Sequence, residues 1–143
     1  MIEGQREKLK PCVGVVILKE GKVLLGKRKG SHGHGEYSFA GGHLEFQESF
    51  KECAERETEE EAGIKIKNIK YLCTATYSRH ENRQDVLIGF IADFESGETV
   101  TNPEETIGEW DWYSLENLPS PLFYPTEIII DSYKKGINFY DKE

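Results

Sequence analysis

The sequence predicts an α/β fold: an α/β/α sandwich built around a mixed β-sheet. Three observations point there. Apolar, β-branched runs lie on both sides of one amphipathic stretch, Ser49 to Ala62. A second stretch of helical pattern, Thr126 to Lys135, closes the chain. The 143 residues suffice for a single domain, residues 1–143, with one sizeable core.

The elements follow in order. Residues 1–10 are polar and are expected to be loose. Val13-Gly-Val-Val-Ile-Leu18 reads as a strand. Lys19-Glu-Gly-Lys22 reads as a hairpin turn into the strand Val23-Leu-Leu-Gly-Lys-Arg28. Residues 29–36 hold three glycines and two histidines and read as a mobile loop. Tyr37 to Phe39 reads as a short strand. Ile66 to Tyr77 and Gln84 to Phe94 read as strands joined by a polar turn. Residues 95–108 form a long acidic loop, and Trp110 to Tyr113 returns to a strand. Trp110 and Trp112 alternate along it, so both face one side.

The helix over Ser49 to Ala62 carries the chemistry. Ser49 suits the N-cap with Glu52 as capping-box partner, and Gly63 suits a left-handed C-terminal turn. Stepping about 100° per residue puts Phe50, Cys53, Ala54, Glu57, Glu60 and Glu61 in one arc roughly 120° wide. Glu52, Glu55 and Glu59 fall on the opposite, solvated side. Three carboxylates on the apolar arc repel one another and call for a cation. Their i, i+3, i+4 spacing suits a hard divalent ion with oxygen ligands. Gly41-Gly42 before the helix lets the backbone approach a ligand or metal closely.

Composition narrows the class. The formal net charge of −8 argues against a broad nucleic-acid surface. Bound divalent metal would reconcile that charge with an anionic phosphate substrate. Cys12, Cys53 and Cys73 show no CxxC or zinc spacing and read as core thiols of a reducing compartment. No run is apolar enough to cross a membrane and no signal-peptide pattern appears, so a cytoplasmic protein without a membrane partner is expected.

Between Gly42 and Ile64 the fixed positions are Gly42, Glu48, Arg56, Glu57, Glu60, Glu61, Gly63 and Ile64, with Thr58 at a normally apolar site. That pattern resembles the Nudix box, a metal site that hydrolyses diphosphate linkages. Val23 to Ser31, Gly41 to Phe46, Glu48 to Ala54 and Trp110 to Phe123 extend the likeness over nearly the whole chain. These segments resemble the Nudix subgroup of MutT-homologue nucleoside triphosphate diphosphatases and plant cytosolic oxidised-dGTP hydrolases.

The resemblance implies the Nudix fold, dependence on Mg²⁺ (with Mn²⁺ able to substitute), a small-molecule nucleotide substrate and often a homodimer. It implies cleavage of ordinary or oxidised nucleoside triphosphates to the monophosphate and pyrophosphate. It assigns metal binding to Glu57, Glu60, Glu61 and the Gly41 carbonyl, and gives Arg56 the task of holding a glutamate in place. Arg28 would reach a substrate phosphate, Gly42 and His43 would border the substrate, and Tyr124 would line a base pocket. A glutamate of the long loop, Glu104, would approach a metal or orient water; Glu61 and Glu104 are both candidates for the proton acceptor. The chain departs from the subgroup at Ala40 (usually proline), Gln47 (usually glycine) and Leu87 (usually a hydroxyl residue facing the base). Two other readings stay open. One is hydrolysis of ADP-ribose or a prenyl diphosphate; the other is a nucleotide-sensing module that does not cut.

Overall fold

The computed structural model describes residues 8–80 and 83–141. Its elements are β1 (Lys8–Lys19), β2 (Lys22–Arg28), β3 (Tyr37–Ser38), β4 (Ala40–His43), α1 (Phe50–Ala62), β5 (Lys65–His80), β6 (Arg83–Ser96), β7 (Ile107–Tyr113), α2 (Tyr124–Lys135) and β8 (Phe139–Tyr140). The strands order as β3-β2-β1-β6-β5-β8, with β4 pairing β1 and β7 pairing β2. The β1–β6 and β5–β8 pairings are parallel and the others antiparallel, so the sheet is mixed as expected.

Strand alternation divides β1 between two cores. Val13, Val15 and Ile17 join Cys53, Ala54 and Ala62 of α1 on one face. Val16, with Cys12 and Leu18 beside it, joins Ile129 and Ile130 of α2 on the other. The two helices thus cover opposite faces, which makes the sandwich. Trp110 is in the α1-side core and Trp112 packs against it, so the two do share a face. Cys53 and Cys73 are buried free thiols, and Cys12 is half-buried.

Four local expectations change. Residues 8–10 are not loose, because β1 begins at Lys8 and pairs there with β6 from Arg83; residues 1–7 lie outside the described residues. The turn at Glu81-Asn82 also lies outside them. Ala40–His43 forms a strand despite its two glycines, because β1 supplies a ladder from Cys12↔His43 to Val15↔Ala40. Helix α2 starts at Tyr124 rather than Thr126, since Pro125 is pre-set for a first helical turn. Phe139–Tyr140 adds a short edge strand that its sequence did not announce.

The hairpin turn has Glu20 at φ 50° and Gly21 at φ 78°, the two left-handed residues that a tight hairpin demands. Helix α1 is closed as expected. Ser49 accepts from the Glu52 N–H, Glu52 accepts from the Ser49 N–H, and Gly63 turns left-handed at φ 77°.

The buried arc of α1 is Cys53, Ala54, Thr58, Glu61 and Ala62. It is turned roughly 50° from an arc centred on Glu57. Thr58 is therefore wholly buried, with no hydrogen-bond partner for its hydroxyl among the described residues, while Phe50, in the first turn, is 44% exposed.

Gln47 has φ 67° in the loop leading to α1. This is the position where the resembling sequences carry glycine, and a side chain there costs conformational energy. Gln47→Gly is expected to raise the unfolding free energy by about 0.5–1 kcal/mol, the relief of the side-chain clash less the added freedom of the unfolded chain. Urea denaturation measures it.

Candidate active site

A cavity of about 530 Å³ opens where β1, β4 and α1 meet the segment before β7 and the start of α2. Glu57 and Glu61 of α1, with Gly41, Gly42, Glu45 and Glu105, form part of its wall. Tyr77, Leu87, Phe123 and Ile129 are among the apolar groups lining the rest.

Glu61 is 4% exposed and accepts a 2.8 Å hydrogen bond at Oε1 from the Gly41 N–H. Burial pushes its carboxyl well above the ordinary value, the charges of Glu57 and Glu105 push the same way, and Gly41 and Arg28 oppose them. Burial also raises Glu57, against a hydrogen bond from Arg56. The backbone at Gly42 passes so close that an added Cβ would lie 2.5 Å from the Glu57 carboxylate. At Gly41 a Cβ would collide with the Val13 carbonyl oxygen. The glycine pair is therefore a steric requirement of this strand.

Arg56 stands behind the carboxylates, outside the cavity wall. It binds Glu48 at 2.6 Å, Glu57 at 2.5 Å, Glu60 at 3.1 Å and the His43 carbonyl at 3.2 Å. Its hydrogen bond holds the Glu48 carboxyl down at about 2. One guanidinium serving three carboxylates leaves Glu61 and Glu105 without a comparable partner among the described residues. Among the described residues, no three His, Cys, Asp or Glu side chains are already drawn together around one point. Glu57, Glu61 and Glu105 nevertheless face one cavity, more carboxylates than Arg28 in the same wall can balance, and a hard divalent cation fits that donor set.

The remaining expected site residues divide. Arg28, Gly42, His43 and Leu87 line the cavity. The Arg28 guanidinium lies 3.9 Å from the Phe123 ring centroid, and its Nε donates to the His32 carbonyl at 2.9 Å. Glu60, by contrast, is 51% exposed, is not part of the cavity wall and is held by Arg56, because the rotated arc carries it outward. Glu104 is exposed and its neighbour Glu105 lines the cavity instead. Loop sequence carries no periodicity from which to choose between them. Tyr124 is 56% exposed and stacks edge-on against Tyr77 at 5.4 Å, outside this cavity; Phe123 and Pro125 on either side of it face inward. His32, Cys12, Ser38 and Thr126 line the cavity too; from the sequence His32 read as part of a mobile loop and Cys12 as a core thiol, and Ser38 and Thr126 were not picked out. Only the fold gathers them.

The NUDIX domain model matches residues 8–131. The chain belongs to the Nudix hydrolase family. It is 34% identical over 117 residues to the NAD-capped RNA hydrolase NudC of Photobacterium profundum, covering 81% of this chain and 42% of that protein. The NudC of Shigella dysenteriae is 33% identical over 109 residues, 76% of this chain and 40% of that protein. The chain thus spans less than half the length of these curated relatives. Among solved structures, a MutT NUDIX hydrolase from Burkholderia pseudomallei superposes with a TM-score of 0.81 at 28% identity, over 88% of this chain and 98% of that one. The NUDIX domain of Shewanella oneidensis NrtR, complexed with ADP ribose, shares the fold with a TM-score of 0.77 at 19% identity, over 95% and 93% of the two chains. Among the described residues, no helix is long and apolar enough to cross a membrane.

The geometry ranks the glutamates of α1. Glu57→Gln and Glu61→Gln are each expected to lower kcat by about 10²-fold or more, as loss of a charged group at a reacting phosphate does. Glu55→Gln and Glu59→Gln, which point to solvent, should stay within about twofold of the wild type. Glu60→Gln should fall between. Steady-state hydrolysis by the purified variants gives the order, and equal losses at all five positions would refute the facial argument.

Proposed function

We propose that the protein is a divalent-metal-dependent pyrophosphohydrolase that converts nucleoside triphosphates, ordinary or oxidised, to the monophosphate and pyrophosphate. One observation carries this reading: a single cavity is lined both by carboxylates, Glu57, Glu61 and Glu105, and by apolar and aromatic groups, Tyr77, Leu87, Phe123 and Ile129. The first set suits a polyphosphate with its cations, the second a base.

Glu57 and Glu61 would hold divalent cations, Mg²⁺ or Mn²⁺, with the Gly41 carbonyl, and Glu60 would contribute from outside the cavity wall. Such cations supply charge neutralisation of the phosphates and a more acidic attacking water. Arg56 keeps Glu57 and Glu60 in place by binding both. Arg28, anchored on Phe123, faces the cavity as the cation for a phosphate of the leaving group. A water oxygen attacks phosphorus, its proton passes to Glu61 or Glu105, and the bridging P–O bond breaks with pyrophosphate leaving. Gly42 and His43 border the reacting phosphates.

Leu87, 2% exposed, presents no hydrogen-bonding group to the base. A site that lacks such a group discriminates poorly, so modest base preference is expected. A second reading is favoured by the NudC matches at 33–34% identity: cleavage of the diphosphate in a dinucleotide such as an NAD-type cap. The net charge of −8 favours a free small molecule over an RNA chain as substrate.

Product analysis decides between them. The expected result is pyrophosphate and monophosphate from several nucleoside triphosphates, abolished by excess EDTA and restored by Mg²⁺ or Mn²⁺. Orthophosphate as first product, activity confined to dinucleotides or ADP-ribose, or full activity in EDTA would each overturn the proposal. Leu87→Thr is expected to widen the spread of kcat/KM among bases.

A further inference from the structure

The C-terminal end of α1 is tied to the next layer by bonds that the mechanism above does not use. The last carbonyls of a helix have no partner within it. Here the Glu59 carbonyl accepts the Gly63 N–H at 3.0 Å, and the Ala62 carbonyl accepts the Val100 N–H at 3.0 Å. The Glu61 carbonyl accepts the indole N–H of Trp110 at 2.9 Å in a buried bond. Val100 and Trp110 bracket the segment that carries Glu105 into the cavity. The base of that segment is closed by the Glu109 N–H on the Thr101 hydroxyl at 2.9 Å. The indole packs closely on Gly26 of β2, where an added Cβ would sit 2.8 Å from two of its ring carbons.

Glu61 is thus fixed at both ends, its carboxylate by the Gly41 N–H and its main chain by Trp110. We propose that Trp110 is a positioning residue whose indole N–H pins the main chain of Glu61 to β7, and so sets the Glu61 carboxylate in the cavity wall it shares with Glu105. A carboxylate that must meet a cation in a fixed geometry loses function when its support moves by a fraction of an ångström. The inference rests on the reading of Glu61 as a cation-binding group.

The chain has two tryptophans, and Trp112 packs against Phe94 with ring centroids 5.7 Å apart. A Trp112→Phe background therefore allows Trp110 alone to be replaced by 3-benzothienylalanine, which keeps the ring shape and exchanges the N–H for sulfur. Trp110→Phe is made in parallel. Ile17→Val, in the same core but away from the cavity, controls for lost stability. Mn²⁺ binding is measured by calorimetry without nucleotide, and kcat and KM with it. Both Trp110 replacements are expected to weaken Mn²⁺ binding and lower kcat by about tenfold each, with KM within about twofold. Trp112→Phe and Ile17→Val should leave both unchanged. Wild-type Mn²⁺ affinity and kcat in the benzothienyl protein would overturn the proposal, and so would an equal loss in Ile17→Val. If the wild type binds Mn²⁺ but hydrolyses no nucleoside triphosphate, the functional reading fails and the Mn²⁺ titrations still judge the pin.

Discussion

Burial of the Glu61 carboxylate constrains everything around it. An ionised carboxyl at 4% exposure is costly unless something nearby compensates its charge. The protein supplies one backbone N–H, from Gly41, and surrounds the group with two more glutamates. That arrangement opposes folding taken by itself and becomes favourable when a cation is shared among the carboxylates. The glycine pair, the capped helix and the strand β4 make sense as parts of a frame that holds this group where it is.

Arg56 solves a different problem. Glu48 in the loop before α1 and Glu57 and Glu60 on the helix come close together, and one guanidinium hydrogen-bonds to all three. A planar, permanently charged fork can do this where an ammonium would not, because it offers donors in several fixed directions. Glu48 is held ionised for structure. Glu61 keeps no arginine partner in the hydrogen-bond network of the described residues and faces the cavity.

The cavity is lined from both layers of the sandwich. The carboxylates come from α1 on one face, while Leu87 and Ile129 belong to the core under α2 on the other. They meet because β1 and β4 carry glycines where the layers approach. A Cβ on Gly14 would lie 2.6 Å from Ile129.

Local chemistry already contained the sandwich, the capped helix and the identity of Glu57 and Glu61, because period and capping are properties of neighbouring residues. The two left-handed turns at Gly21 and Gly63 and the oddity at Gln47 were legible for the same reason. The rotation of α1 was not. It depends on which residues β1 and β4 press against, and it buried Thr58 while turning Glu60 outward. Nor could the chain order decide between Glu104 and Glu105, or between Phe123 and Tyr124. Adjacent residues in a loop or at a helix start differ only in direction, and direction is set by the layer they pack on. Cys12, the His32–Ser38 segment and Thr126 lie far apart in the sequence and become one wall only when the sheet forms. The sequence by itself determined the family and the carboxylate helix; tertiary packing alone decided which of the remaining side chains face the cavity.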